Sequence, residues 1–452
     1  MKKLLRFWFT ADDLVDRRTY LEHGVALALA KYAVDAALIW AFANVLWTPI
    51  DYVVAGFSLE QSKLGAVPVA LQIALALWTA PFFWIGLSLS ARRARDAGVT
   101  PWIAQLFFVP VLNYVYIAAM SLAPSRTRAP SVNPETKRTP ETEFRSRLHA
   151  IGLGALAGLA MVLLGVGALR GYGLFVFFGA PFVVGAVAAY TYNRSYPADA
   201  RETGKVVLLT LALIGLSTIA FAIEGIVCVL MAFPFAFLIA TMGSWFGRWI
   251  ALNDAGSPRR AVLGFLLLPV MTPLIDSSDA PALREVRSSI EIDAPPLVVW
   301  NNVVSFARLA PPTDLLFRSG IAYPIEARIV GEGVGAIRYC EFSTGPFVEP
   351  ITRWEPGARL SFDVASAPAP MREWSPYAIS PPHLDGYFAS KRGEFRLIAL
   401  PNGRTRLEGS TWYELKMAPE AYWSIFATAI VERIHMRVLE HVKAVTETQT
   451  RP

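Results

Sequence analysis

The sequence predicts a multi-pass α-helical membrane domain followed by a soluble α+β domain, and three observations carry that prediction. Apolar runs long enough to cross a bilayer fill the chain before Asp276, and the 176 residues after it hold none. Of 452 residues, 54% are hydrophobic and 17% charged, with a mean hydropathy of +0.40. That is too apolar for an ordinary soluble protein. The basic loops of the first half fall on alternate connections, as positive-inside orientation requires.

The net charge of +6 does not point to nucleic acid. From Arg284 onward there are 19 Lys+Arg and 19 Asp+Glu, so the excess lies wholly in the apolar half. The two cysteines, Cys228 and Cys340, form no disulfide framework and fit a reducing compartment. The basic, aromatic start Met1–Phe9 is too short for a signal peptide and runs into Asp12 and Asp13. It reads as a segment lying at the membrane surface.

Spans are predicted at 24–47, 66–90, 149–169, 172–192, 206–223 and 226–248. The apolar stretches 102–123 and 261–275 are broken by Pro110 and by Pro269 and Pro273, so each is read as a re-entrant hairpin, with a full span as the alternative. Segments 1–22, 91–100, 124–148, 193–205 and 248–260 together hold 20 Lys+Arg, whereas 48–65, 170–171 and 224–225 hold 2. With both hairpins re-entrant, both termini and the C-terminal domain are cytoplasmic. Asp-Ala-Gly followed by a proline and Pro-Val recurs at 96–111 and 254–270, so 149–275 reads as a degenerate repeat of 1–123. The charged, Pro-rich loop 124–148 separates the two. Lys31 and Asp35 lie one turn apart inside the first span, either as a functional pair or as a self-neutralising one. Glu224 is placed at the outer interface, between two spans.

Residues 16–24 (DRRTYLEHG), a span, ARRARDAGVTPW and an apolar stretch broken by Pro-Val resemble a small bacterial inner-membrane family of unknown function. Arg92, Arg93 and Asp96 match that family's Arg-Arg-x-x-Asp loop; alanine and arginine stand where the family has leucine and histidine. The resemblance covers residues 1–125 and implies a bacterial inner membrane but no chemistry.

After a linker at 276–283, strands are predicted at 286–292, 325–330, 335–343, 346–354, 358–365, 387–399 and 404–417. A helix opens at Asp293-Ala-Pro-Pro, with Asp293 as its N-cap. An amphipathic helix at 419–446 closes the chain, with Trp423, Phe426, Ile430 and Ile434 in its apolar stripe. The opening IEIDAPPLVVW, the segments EGVGAIRYCEF, TRWEPGARLSFDV and RTRLEGSTWYEL, and this element order resemble the START/polyketide-cyclase (SRPBCC) superfamily over 284–448. The resemblance implies the helix-grip fold, a curved antiparallel sheet around a long C-terminal helix, with a cavity for lipids, sterols or polyketides. Some members are cyclases and others carriers.

Alternation turns Ala327, Ile329, Leu360 and Phe362 inward, along with Leu407, Thr411, Tyr413 and Leu415. On the third strand either Ile337, Tyr339 and Glu341 or Arg338, Cys340 and Phe342 face the interior. The candidate ligand-binding set is Ile337, Tyr339, Glu341, Phe362, Trp374, Thr411, Tyr413, Phe426 and Ile430. Trp374 and His383 sit in the loop 366–386, a lid or a rigid surface loop. Glu341 and His383 are the acid–base candidates if the module is an enzyme, and Asp385 beside His383 suggests a dyad. His435 and His441 are assigned to packing or surface. No Cys-x-x-Cys or His-x-x-x-His spacing occurs, so no metal and no cofactor are expected. The partners implied are membrane lipids and a hydrophobic small molecule.

Overall fold

A computed structural model describes residues 2–9, 13–52, 63, 67–108, 112–126, 139–168, 171–253 and 281–450. The chain divides into two units: Met1–Phe221 with Val229–Asp279, and Ala222–Cys228 with Ala280–Pro452.

The first unit is helical: α1 (Lys2–Phe9), α2 (Arg17–Ala43), α3 (Val69–Asp96), α4 (Leu112–Leu122), α5 (Pro140–Val162), α6 (Ala180–Ser195), α7 (Ala200–Ala220) and α8 (Ile226–Asn253). All six predicted spans are helices, each reaching some residues into its polar flanks. Those flanks carry the caps. Asp16, Thr139 and Asp199 each accept a hydrogen bond from a first-turn amide, filling the orphan donors of α2, α5 and α7. Among the described residues, five helices are long and apolar enough to cross a membrane, so this is a multi-pass membrane protein.

Small residues bring these helices together. A Cβ added at Gly243 or Gly247 of α8 would overlap the carbonyls of Phe182 or Ala186 on α6, and one at Gly185 would overlap Ala240. Gly243 and Gly247 thus form a small-xxx-small contact, which replaces the hydrophobic drive that lipid removes.

The stretch after α3 returns to its origin. A 3₁₀ turn (Pro101–Phe108) and the short α4 lead back so that the amide of Arg126 donates to the carbonyl of Asp96 at 2.5 Å. The two ends of this stretch therefore meet, as a re-entrant course for 102–123 would bring them. The second such stretch, 261–275, and the second Asp-Ala-Gly lie outside the described residues. The Arg-Arg-x-x-Asp loop explains the return. Arg93, fully buried, donates through Nε to the carbonyl of Met120 at 2.8 Å and through Nη2 to that of Ala123, and pairs with Asp96. The terminal carbonyls of α4 are thereby satisfied without water. Arg92, also fully buried, donates to the carbonyls of Phe7 (2.8 Å) and Asp13 (2.6 Å), holding the N-terminal segment. Lys31 pairs with Asp35, which also accepts from the Tyr52 hydroxyl at 2.6 Å, as the self-neutralising reading requires.

The second unit is a seven-stranded antiparallel sheet in the order β1-β7-β6-β5-β4-β3-β2. Its strands are β1 (Arg284–Ile292), β2 (Pro324–Val330), β3 (Ile337–Phe342), β4 (Gly345–Glu355), β5 (Arg359–Asp363), β6 (Phe388–Ala399) and β7 (Thr405–Leu415). Every predicted strand is present within two residues of its expected ends. Register shifts in β2, β4 and β6 bend the sheet. Asn402 and Gly403 both take positive φ (65° and 72°) between β6 and β7, as a tight hairpin demands. The long helix α11 (Glu420–Thr450) closes the domain, burying Val438, Leu439 and Val442 in a core with Leu360, Leu397 and Leu407. This is the helix-grip fold. Two short helices, α9 (Pro296–Val304) and α10 (Leu315–Arg318), follow β1. The N-cap of α9 is Pro295, not Asp293. The prolines delay the helix until the chain has turned, and the Asp293 amide donates to Glu447 at 3.1 Å instead.

Removing Arg93 leaves Asp96 with the Ser125 hydroxyl alone among the described residues and strands two carbonyls in an apolar interior. Arg93→Met should cost about 3–5 kcal/mol, read as a lower thermal midpoint of the detergent-extracted protein. Arg93→Lys, keeping charge without the fork, should lose less. An unchanged midpoint for Arg93→Met would show that the return does not depend on this side chain.

Candidate functional site

Two polar assemblies stand out in the helix-grip unit. The first lies in the sheet interior. Of the two faces left open on β3, the inner one carries Arg338 and Cys340, which are 2% and 5% exposed. Ile337, Tyr339 and Glu341 are half-buried on the opposite face, where Arg328 lies 4.5 Å from the Tyr339 ring. Arg338 is ion-paired with buried Glu349 on β4. Its guanidinium lies 5.5, 5.3 and 5.6 Å from the rings of Phe306, Phe362 and Phe395. Its buried Nε meets no hydrogen-bond acceptor among the described residues. Burial disfavours the charge on Arg338, but Glu349 opposes this strongly enough to raise its pKa, so the cation is retained. Burial also pushes the Cys340 thiol up to about 12, against the pull of Arg338, so it stays protonated.

The second assembly comes from segments far apart in sequence. Cys228 Sγ lies 2.9 Å from Glu373 Oε1 and 3.1 Å from His383 Nε2. His383 Nε2 is 3.4 Å from Glu373 Oε1, and its Nδ1 is 3.3 Å from Glu224 Oε2. These four donors lie within 4.8 Å of one another. His383 and Glu373 are buried. Burial opposes a charge on His383, yet hydrogen bonds with Cys228, Glu224 and Glu373 outweigh it and lift the imidazole to about 12.

Local structure places each donor. His383 rides on a 3₁₀ turn, Pro382–Leu384, which proline starts. Glu373 is fixed by the backbone on both sides, through Arg372 N to Gly320 O (2.8 Å) and Ile226 N to Trp374 O (3.0 Å). Gly225 lets the chain pass against Glu373, because a Cβ there would overlap its Oε2. Below the cluster Val227, Cys228, Met371 and Phe317 pack with Ile430 and Ile434 of α11.

Sequence reasoning named His383 but missed its partners. The argument against a metal rested on local spacing, and donors as far apart as Cys228 and His383, separated by 155 residues, leave no such trace. Glu224, expected at an interface away from the module, belongs to it. The loop 366–386 is tied down rather than free, since Thr344 Oγ1 also donates to Ala369 O at 2.7 Å.

The remaining candidates scatter. Phe362 and Tyr413 are buried as expected, and Trp374 is 60% exposed. Phe426 is half-buried against the rings of Tyr422 and Trp423. Thr411 faces inward, but its hydroxyl meets His435 Nε2 at 2.7 Å, while Ser288 Oγ meets Nδ1 at 3.2 Å. His435 is therefore a packed residue, and burial pushes it down to about 4.

With this geometry in hand, comparisons with known proteins can be set beside it. Residues 9–132 match the family model described as "Protein of unknown function (DUF805)". The front of the chain is similar to that family. No curated protein matches the chain. Among solved structures, the Zhui aromatase/cyclase of Streptomyces sp. R1128 is 16% identical, with a TM-score of 0.26 over 38% of this chain and 97% of that one. Norcoclaurine synthase of Thalictrum flavum is 14% identical, with a TM-score of 0.26 over 39% and 99%.

His435 gives an acid-sensitive core. Its folded value of about 4 lies below the ordinary 6.5. Between these values the unfolded chain binds a proton that the folded chain refuses. The stabilisation is full above about 6.5 and falls by about 3 kcal/mol as pH drops towards 4. The thermal midpoint should fall on acidification, and His435→Gln should show a smaller fall over the same range.

Proposed function

We propose that this is a membrane-anchored binding protein whose helix-grip module holds an apolar molecule by an oxygen-bearing end. The observation that carries the reading is Arg338: a buried cation, ringed by three phenylalanines, whose Nε meets no acceptor among the described residues. Such a group is costly unless it recognises something. An apolar pocket with a few convergent polar groups is the usual form of a small-molecule site. A lipid or lipid-like metabolite fits this chemistry, and anchoring shortens its path from bilayer to carrier. A cyclase or hydrolase reading is less favoured. Cys340 stays protonated, Glu341 lies on the opposite face from Arg338, and His383 is held between carboxylates in a separate cluster. An assembly platform without ligand would leave Arg338 unexplained.

A bacterial inner membrane remains the setting implied by the resemblance at the front of the chain. With a re-entrant 261–275, the charge split sets the module in the cytoplasm. The same split puts the 224–225 connection opposite the basic loops, and Ala222–Cys228 belong to the module's unit, which supports the outer face. All 20 basic loop residues precede residue 261, so the charge split is equally satisfied if the chain crosses once more before Arg284. We favour a module on the outer face.

Ligand binding is tested with a fluorescent fatty acid on the detergent-extracted full chain. Because breaking one half of a buried pair unfolds proteins, the variant is the double Arg338→Met/Glu349→Leu, which keeps the volume apolar. Binding should weaken at least about tenfold, roughly 1.4 kcal/mol, with little change in thermal midpoint. Unchanged affinity would remove Arg338 from the site. Sidedness is read by an impermeant thiol reagent on spheroplasts carrying Gln449→Cys. Labelling from outside is expected, and protection until lysis would return the module to the cytoplasm.

A further inference from the structure

The assembly of Cys228, Glu373, His383 and Glu224 has the composition of a metal centre rather than of a packing cluster. Thiolate, imidazole and carboxylate are the three donor types that zinc accepts. Two carboxylates, from Glu224 and Glu373, flank one imidazolium largely out of water, so one negative charge is left over within the cluster. A divalent cation would remove that cost.

The geometry is close to what the ion needs. Sγ, Oε1 and Nε2 form a triangle with edges of 2.9, 3.1 and 3.4 Å. Tetrahedral bonds to zinc would set these edges at about 3.3–3.5 Å. The two sulfur edges need to open by a few tenths of an ångström, within reach of a side-chain adjustment. Glu373 Oε2, in a side chain that is 1% exposed, has no hydrogen-bond partner among the described residues. Glu224 approaches the other imidazole nitrogen at 3.3 Å. That is where a carboxylate holds a metal-bound histidine in the right tautomer.

We propose that Cys228 Sγ, Glu373 Oε1 and His383 Nε2 bind one zinc ion, with Glu224 accepting from Nδ1–H as the positioning residue. A fourth coordination position is left for water or a ligand oxygen. Binding requires the thiol to lose its proton to solvent and His383 to become neutral, so uptake releases protons. Ala222–Cys228 supply two of the four groups, so the ion would pin this connection to the loop 366–386.

The full-length protein, purified in detergent without chelator, is assayed for zinc and then reconstituted with cobalt(II) after metal removal. The expected result is one equivalent of zinc, with cobalt giving intense visible bands of a tetrahedral site and a near-ultraviolet thiolate charge-transfer band. Cys228→Ser should abolish the charge-transfer band and His383→Gln should abolish stoichiometric binding. Glu224→Gln should retain the spectrum but weaken affinity about 10- to 100-fold. Chelator should lower the thermal midpoint of the wild-type protein and leave that of Cys228→Ser unmoved. The wild-type cobalt spectrum needs no variant to fold. A spectrum without the charge-transfer band, or zinc well below one equivalent after reconstitution, would reduce the cluster to a hydrogen-bonded ion group and overturn the proposal.

Discussion

Charge taken out of water must find a partner, and that constraint organises both halves of this protein. In the membrane unit the buried Arg93 meets Asp96 and the last carbonyls of a short helix, and the buried Arg92 meets carbonyls of the N-terminal segment. Neither is a surface anchor. Each consumes backbone acceptors that a helix ending within the bundle cannot offer to solvent. The returning course of 97–126 and the placement of the first residues are both consequences. In the helix-grip unit the same constraint recurs at Arg338 and Glu349, but there the accounting is incomplete. The pair neutralises itself, yet one guanidinium donor still faces aromatic rings rather than an acceptor. The difference between the closed network of Arg93, whose three nitrogens all meet oxygen acceptors, and the open one of Arg338 separates a structural arginine from a candidate binding one.

Much of the fold was legible because its signals are local. Span length and the alternation along β5 and β7 each act within a few residues, whereas the one cap read from sequence, Asp293, was displaced to Pro295 by the prolines beside it. The faces of β3 were not legible. Ile337-Arg338-Tyr339-Cys340-Glu341-Phe342 puts polar and apolar side chains on both faces, so period-two hydrophobicity cancels. Only burial against Phe306, Phe362 and Phe395, from other elements, decides it. Thr411 shows the reverse case. Alternation placed it inward correctly, but an inward residue is not a cavity residue when a histidine from α11 already meets its hydroxyl.

The Glu224, Cys228, Glu373 and His383 cluster was beyond sequence reasoning for a different reason. Glu224 and Cys228 lie four residues apart, one before the start of α8 and one in its first turn, which reads as two unrelated residues beside a span. Glu373 and His383 lie ten residues apart in a proline-rich loop, where no periodicity applies. Gly225 stands in the short 221–225 connection, where a glycine reads first as a turn residue, yet it takes no positive φ. The structure shows what approaches, since a side chain there would displace Glu373.

The two polar assemblies share one element. Ile430 and Ile434 of α11 pack beneath Cys228 and Met371, and the neighbouring His435 lies between the hydroxyls of Ser288 and Thr411 on β1 and β7. The same helix then runs on to bury Val438 and Leu439 in the core that also contains Phe362, one of the rings around Arg338. The loop 366–386 leaves β5 directly after that ring's strand. Whatever orders the cluster therefore bears on the helix and the strand that flank the interior. Interiors packed at crystal-like density transmit such displacements rather than absorb them. Were the proposed zinc and ligand both bound, α11 and the β5 exit are where the two sites would meet.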